Sequence, residues 1–419
     1  MSILKLGGVP VTDLATTYKT PLYVFDEVKI ASTLKTVEQK FKSPKFETKV
    51  IYASKAFQTV HMLNLVAEAG FGLDIVSGGE LYVALASKMP VADIYFHGNN
   101  KTPDELEFAL KSGVVHYIVD NPMELEVLSA LTKRYAQQVN VYLRLNVGIE
   151  AHTHEYIMTS RIDSKFGFSF GSTDFDQCIA CMADNDYLLL AGIHSHIGSQ
   201  IFELDGWFAS IDKLVHFLKT FDAPLVLNIG GGFGVAYTKD DQPMPLGDVL
   251  TEIVGYVERA LEENNVTIKA LMIEPGRALV ANAGATLYTI GYQKETPGRN
   301  YYFVDGGMGD NLRPALYDAK YEADVATRMD VAKANKVTVA GKYCESGDVL
   351  ISDVMLQEAT QGDLLVVYAT GAYGYSMRSQ YNNNLMPAVV FVKDGQAREV
   401  VRRQSYEDLL RLVVLPDEA

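Results

Sequence analysis

Between about residues 49 and 277, short apolar runs rich in Val, Ile and Tyr recur eight times, most of them separated by amphipathic stretches, and this alternation limits the fold more than any other feature. The candidate strands are KVIYASK (49–55), GLDIVS (72–77), DIYFHG (93–98), HYIVDN (116–121), NVYLRLNV (140–147), LAGIHSHIG (190–198), LVLNIGG (225–231) and KALMIEPG (269–276). Helical patterns lie between most of them: HMLNLVAEAG, GELYVALASK, TPDELEFALKSG, PMELEVLSALTKRYA, FDQCIACMADN, WFASIDKLVHFLKTF and VLTEIVGYVERALEEN. TPDEL, with Thr102 ahead of Pro103 and acids in the first turn, is a helix start. Strands separated by helices pair in parallel, and eight such β/α units predict a closed parallel barrel.

After Arg277 the texture changes. TLYTIGYQKE, NYYFVDGG, KVTVAGKYC, DLLVVYAT and AVVFVKDG are broken by Gly, Asp and Asn turns with few long helical patterns, which predicts an antiparallel β domain. Pro21-Leu-Tyr-Val-Phe25 is a strand without a barrel partner and is assigned to the same domain. The expected organisation is a (β/α)8 barrel over 26–276, inserted into a β-rich domain built from 1–25 and 277–419.

Composition narrows the function. The chain has 419 residues, 48% hydrophobic and 21% charged, enough to bury a sizeable core. Its 52 acidic against 37 basic residues give a formal charge of −15, so a nucleic-acid surface is not expected, and no polybasic run points to a membrane. MSILKLGGVPVTD lacks the long apolar core of a signal peptide, and three cysteines in so long a chain suit a reducing compartment, so a cytoplasmic protein is expected. Cys178 and Cys181 form a CxxC inside a helical pattern, without a second pair for zinc, and read as packed helix cysteines. No metal is expected.

In such barrels the chemistry gathers at the C-terminal ends of the strands. Those ends carry Lys55, Asp74, His97, His196, Gly230-Gly231-Gly232, and Glu274 with Arg277. A lysine at a strand end is commonly a snorkelling surface charge. Among barrel loops it becomes a candidate Schiff-base amine, with desolvation lowering its pKa. His196, in HSHIGSQ, suits a flat ring stacked on a flat cofactor, but His194 lies on the same strand face and residue spacing does not choose between them. NIGGGFG follows a strand but no helix opens directly after it, so it fits an anion nest better than a dinucleotide fingerprint. In EPGR, Glu274 suits a protonated ring nitrogen, and Arg277 a phosphate or a substrate carboxylate. Together these are the parts needed to hold pyridoxal 5′-phosphate.

The chain resembles the barrel-fold pyridoxal-phosphate decarboxylases, and within them the diaminopimelate decarboxylases. The resemblance runs from TPLYVFD through YASKA, GLDIVSGGEL, FHGNNK, HTHEYI, SKFGF, HSHIGSQ, NIGGGFG and EPGR. VDGGMGDNLRPALYDA, CESGDVL and GAYGYSM carry it into the second domain and are its more specific part. It implies decarboxylation of meso-2,6-diaminopimelate to L-lysine and carbon dioxide. By this resemblance Lys55 carries the cofactor as a Schiff base, His196 stacks on its ring, and Asp74, Ser199, Gly230, Gly231, Gly232, Glu274, Gly276 and Arg277 belong to the cofactor site. Cys344 is the implied proton donor to the carbanion. Glu345 takes the substrate's distal amine, and Arg277, Arg313 and Tyr317 its distal carboxylate, while Tyr373 touches phosphate and substrate. A homodimer with shared active sites is implied, the Cys344 segment entering the partner's site.

Spacing alone reads Cys344 as an inert buried thiol and Arg313 as half of a surface salt bridge. A substrate with an amino-acid group at each end needs both a cation and an anion, and Arg313 beside Glu345 is the expected pair. Three positions depart from the family pattern: Phe57 for a common Asn, Ser160 for a common Gly, and Arg378 for a small residue. Other readings are a decarboxylase of ornithine, arginine or a carboxylated polyamine, an amino-acid racemase, and a non-catalytic carrier of the cofactor.

Overall fold

The computed structural model describes residues 2–149 and 164–414, so the HTHEYI segment and Ser160 lie outside the described residues. The chain divides into two compact units.

One unit comprises Ser32–Val235 and Gln242–Ala278. Its barrel strands are β1 (Glu47–Ala53), β2 (Gly72–Ile75), β3 (Ile94–Phe96), β4 (His116–Val119), β5 (Val139–Asn146), β6 (Leu188–His194), β7 (Leu225–Asn228) and β8 (Ile268–Ile273). Each pairs in parallel with the next, and β8 pairs with β1, so the sheet closes. All eight expected strands are present, but each stops short of its expected C-terminal end, so Lys55, His97, His196, the glycines, Glu274 and Arg277 stand on turns beyond the ladder, while Asp74 lies within it.

Ile51, Tyr95, Ile118, Tyr142, Val226, Ala270 and Met272 form one buried cluster of inward side chains. The surrounding helices include Val60–Glu68, Gly78–Leu85, Pro103–Lys111, Pro122–Tyr135 and Thr173–Ala183. The side chains of Thr59, Ser77, Thr102, Asn121 and Ser172 accept their first-turn amides, each cap contributing about 1 kcal/mol. Thr102 and Glu105 form a full capping box ahead of Pro103, as TPDEL predicts. Cys178 is buried on the Thr173–Ala183 helix, where burial pushes its thiol up to about 12, the behaviour of a packed side chain.

The other unit comprises Met1–Ala31, Ala236–Asp241 and Leu279–Ala419. Its sheet runs in the order Val349–Leu356, Asn335–Ala340, Arg299–Val304, Gly284–Thr296, Leu22–Asp26, Ala388–Lys393 and Gln396–Val401. Leu364–Tyr368 pairs with Gly284–Thr296 and with Ala323–Val325. The core between these strands includes Leu22, Val24, Leu287, Val366 and Val390. Most pairings are antiparallel, but two are parallel: Leu22–Asp26 with Ala388–Lys393, and Arg299–Val304 with Asn335–Ala340. The strand at 349–356 was not expected. Two register shifts against its neighbour break the period-two burial that would have marked it. No helix among the described residues is long and apolar enough to cross a membrane.

Candidate active site

β1 stops at Ala53, and Ser54-Lys55-Ala56 make one 3-10 turn with Ser54 and Ala56 buried and Lys55 exposed. The desolvated lysine expected from the sequence is therefore not present in the single chain, because the turn tucks the two flanking residues inward and leaves the lysine outside. Lys55 is nonetheless near enough for its charge to act on Asp74, Glu80 and His196. Phe57, the departure next to it, is fully buried, and its carbonyl accepts from the Tyr52 hydroxyl at 2.6 Å. It is a packing residue of the first turn.

Glu274, just past β8, is the polar centre of the rim. It is 6% exposed, and its carboxylate accepts from Asn228 Nδ2 at 2.7 Å and from His194 Nε2 at 3.1 Å. His97 Nε2 also lies 3.1 Å from Glu274 Oε1, too oblique to count as a hydrogen bond, and 3.9 Å from Asp74 Oδ1. Burial opposes the charge on Glu274, but His194 and then His97 outweigh it and hold the carboxyl well below its usual range. Burial pushes His194 down to about 4, so it is neutral at pH 7. A neutral ring that donates from Nε2 leaves Nδ1 as the bare nitrogen, and Nδ1 is the atom without a partner. Asp74, within β2, is 3% exposed, with Oδ1 making no hydrogen bond and its carboxyl raised mainly by burial.

His196 is half-buried, and its Nδ1 accepts from Gly231 N at 3.1 Å. That bond requires an unprotonated Nδ1, in keeping with a ring driven well below its ordinary pKa by burial and then by Lys55. The structure thus separates the two histidines: His194 serves Glu274, and His196 faces the glycine loop. Gly230 N donates to Asn228 Oδ1 at 2.9 Å, so two of the three glycine amides expected to form an anion nest are already engaged. The glycines are needed for close approach instead. A Cβ on Gly231 would strike the Glu274 carbonyl, one on Gly230 the Ser195 carbonyl, and one on Gly232 the Gly198 carbonyl. Beside this loop Arg277 Nη2 donates to Ser199 Oγ at 2.9 Å, and Gly276 packs against Ala53.

These residues fit pyridoxal phosphate. The glycine turn, Ser199 and Arg277 suit its phosphate, the ionised Glu274 suits a protonated ring nitrogen, and Lys55 suits its carbonyl carbon. His97, His194 and Glu274 also bring ligand atoms within 4.8 Å of one another, a donor set a divalent cation could use. Both Glu274 oxygens are already taken by Asn228 and His194, so a metal would have to break bonds that keep the carboxylate in place.

The remaining expected residues belong to the β-rich unit. Arg313 and Tyr317 begin and end one short helix, four residues apart and so on one face. Arg313 is 7% exposed, which overturns its reading as a surface salt bridge. Cys344 is exposed, which overturns its reading as a buried thiol. Glu345 is exposed and accepts from the Tyr381 hydroxyl at 3.2 Å. Tyr373 adopts φ +64, a strained backbone for an aromatic residue and of the kind that collects at functional sites. Arg378 folds back on its own turn: its guanidinium lies 3.6 Å from the Tyr375 ring centroid and donates to the Tyr375 carbonyl.

Asn228, Arg144 and Glu80 were not singled out from the sequence. Asn228 had a signal, an amide ending an apolar strand directly before the glycines. Arg144 had one too, a cation inside YLRLN, and its guanidinium lies 4.3 Å from the Phe166 ring centroid while its charge acts on Asp74 and Glu274. Glu80 is an ordinary first-turn acid in sequence; only folding half-buries it and pushes its carboxyl up to about 7.

Residues 27–281 match the family model described as "Pyridoxal-dependent decarboxylase, pyridoxal binding domain". The diaminopimelate decarboxylase of Bacillus subtilis is 46% identical over 415 residues, covering 98% of this chain and 94% of that protein. A crystal structure of the M. jannaschii diaminopimelate decarboxylase with L-lysine superposes with TM-score 0.89 at 32% identity, covering 97% of this chain and 95% of that one. The Helicobacter pylori diaminopimelate decarboxylase with L-lysine gives TM-score 0.87 at 31% identity, covering 96% and 98%.

Proposed function

This chain belongs to the diaminopimelate decarboxylase family of pyridoxal-dependent decarboxylases, and from that premise we propose that it converts meso-2,6-diaminopimelate to L-lysine and carbon dioxide. The observation that carries the reading is Glu274, a buried carboxylate kept ionised by His194 and His97 next to a glycine turn and the Ser199–Arg277 pair. When bound, pyridoxal phosphate supplies an electron sink for the charge left on the substrate carbon as carbon dioxide departs.

The chain's own groups do the rest. The Lys55 amine anchors the cofactor. Asn228 and His194 hold the Glu274 carboxylate so that its charge meets the ring nitrogen. His196, neutral and fixed through Nδ1, offers its flat face, and the glycine turn, Gly276, Ser199, Arg277 and Tyr373 take the phosphate. Arg277, Arg313 and Tyr317 are assigned to the substrate's distal carboxylate and Glu345 to its distal amine. The Cys344 thiol delivers the proton that replaces the lost carboxyl. We assign that thiol to the neighbouring subunit's reaction, a reading supported by its exposure in the single chain.

The test is carbon dioxide release from meso-diaminopimelate, lysine, ornithine and arginine with added cofactor. Release from meso-diaminopimelate alone is expected. Release from ornithine alone would replace this substrate with a diamine precursor, and loss of the Cα hydrogen without carbon dioxide would make the enzyme a racemase.

A further inference from the structure

Arg313 is nearly buried, yet among the described residues no carboxylate pairs with it. Its partners are two tyrosines of the same unit. Arg313 Nη1 donates to the Tyr321 hydroxyl at 2.6 Å. The guanidinium carbon lies 4.7 Å from the Tyr237 ring centroid and 5.7 Å from that of Tyr321. The two rings meet edge to face, 5.3 Å apart at 86°. Tyr237 and Tyr321 are 9% and 4% exposed, so the whole group is shielded from water.

The short segment that carries Tyr237 is itself tied down. Asp241 Oδ2 accepts from Tyr237 N and Thr238 N, both at 2.9 Å, which closes the turn. Lys239 N donates to Glu322 Oε1 at 3.0 Å, joining this turn to the residue next to Tyr321. Tyr237 follows the glycine turn of the barrel by only a few residues in sequence, but it belongs with Arg313 in the β-rich unit.

A carboxylate partner would also have fixed Arg313, but it would have cancelled the charge and occupied the planar fork of N–H groups. Aromatic faces and one hydroxyl fix the guanidinium while leaving the charge and the other N–H groups for a ligand. A shielded cation without a counter-charge also gains the most from an incoming anion.

We propose that Tyr237 and Tyr321 are positioning residues that aim Arg313 at the distal carboxylate of the substrate and set the preference for ligands that carry it. The inference rests on the assignment of Arg313 to that carboxylate. It also makes a distinctive claim, because the same Tyr→Phe substitution weakens binding at one position and leaves it unchanged at the other. At 237 the ring face matters and Phe keeps it. At 321 the hydroxyl matters and Phe loses it.

The test measures binding of L-lysine, which keeps the distal carboxylate, and of cadaverine, which lacks it, to the holoenzyme. Binding is read from the absorbance of the bound cofactor, independently of turnover. Tyr321→Phe is expected to weaken L-lysine about tenfold, the loss of one charge-assisted hydrogen bond. Tyr237→Leu should weaken it about threefold or more through loss of the ring face. Tyr237→Phe should bind as the native enzyme does, and cadaverine should be indifferent to all three. Equal weakening of both ligands would make the tyrosines merely structural, and unchanged L-lysine binding in Tyr321→Phe would remove the clamp; either result overturns the proposal. A native enzyme that releases no carbon dioxide from meso-diaminopimelate would instead overturn the substrate assignment, whatever the variants bind.

Discussion

At the scale of single residues, the rim of the barrel is a set of charges placed by burial and by hydrogen bonds. Glu274 is kept ionised, His194 and His196 are kept neutral, and Glu80 is held near half-protonation at neutral pH. Glu80 has a raised pKa in the fold, about 7 against an ordinary 4.5, so the folded chain holds a proton that the unfolded chain releases. The stability this gives is complete below about pH 4.5 and is lost as pH rises through about 7. Glu80→Gln stays neutral throughout, so its stability relative to the native protein should improve by about 2 kcal/mol from about pH 5 to about pH 8. Urea unfolding at the two pH values measures this, and a difference that does not change with pH would remove Glu80 from the linkage. His194 runs the other way: its pKa is about 4 in the fold against 6.5, so stability falls as pH drops through that interval. The sequence showed which chemical groups stand at the strand ends, but not their states. Lys55 looked desolvated and is exposed; Cys344 looked buried and is exposed; Arg313 looked exposed and is buried. Residue type carries the chemistry, while exposure depends on neighbours far away in the chain.

At the scale of elements, legibility follows periodicity. The eight barrel strands and the helices between them repeat at the spacing their packing demands, so all eight strands could be read. The bulged strand at 349–356 could not, because its burial does not alternate. The turns that end the strands are held by contacts that no period records. Lys101, in FHGNNK, is buried, and its ammonium donates to the Gly98 and Ile118 carbonyls and to Glu124 Oε1 at 2.7–2.8 Å. It therefore pins the turn that follows His97 to β4. Lys101→Met strands a buried carboxylate and should cost about 3–5 kcal/mol, whereas Lys101→Met with Glu124→Leu should recover much of that loss. Thermal and urea unfolding of the two variants decide the matter. Equal losses in both would mean that the ion pair does not anchor the turn.

At the scale of the whole molecule, the sequence alone suggested a barrel inserted into a second domain, and the described chain divides into a barrel unit and a β-rich one. The return of residues 236–241 to the β-rich unit had no sequence signal, since a short stretch between a strand and a helix reads as an ordinary loop. A shared active site makes a prediction that no single chain can satisfy. Mixing Lys55→Ala with Cys344→Ala, each nearly inactive, should restore activity toward about one quarter of the native level, because a random mixture of dimers rebuilds that share of intact sites. No recovery on mixing, with exchange of subunits shown separately, would confine each site to one chain. The central claim is narrower than the dimer: Lys55 is where this chain holds its cofactor. The most direct measurement is borohydride reduction of the holoenzyme followed by peptide mass mapping. The account predicts a pyridoxyl group on Lys55 and no labelled lysine in Lys55→Ala. A label on another lysine, or an unchanged label in that variant, would contradict it.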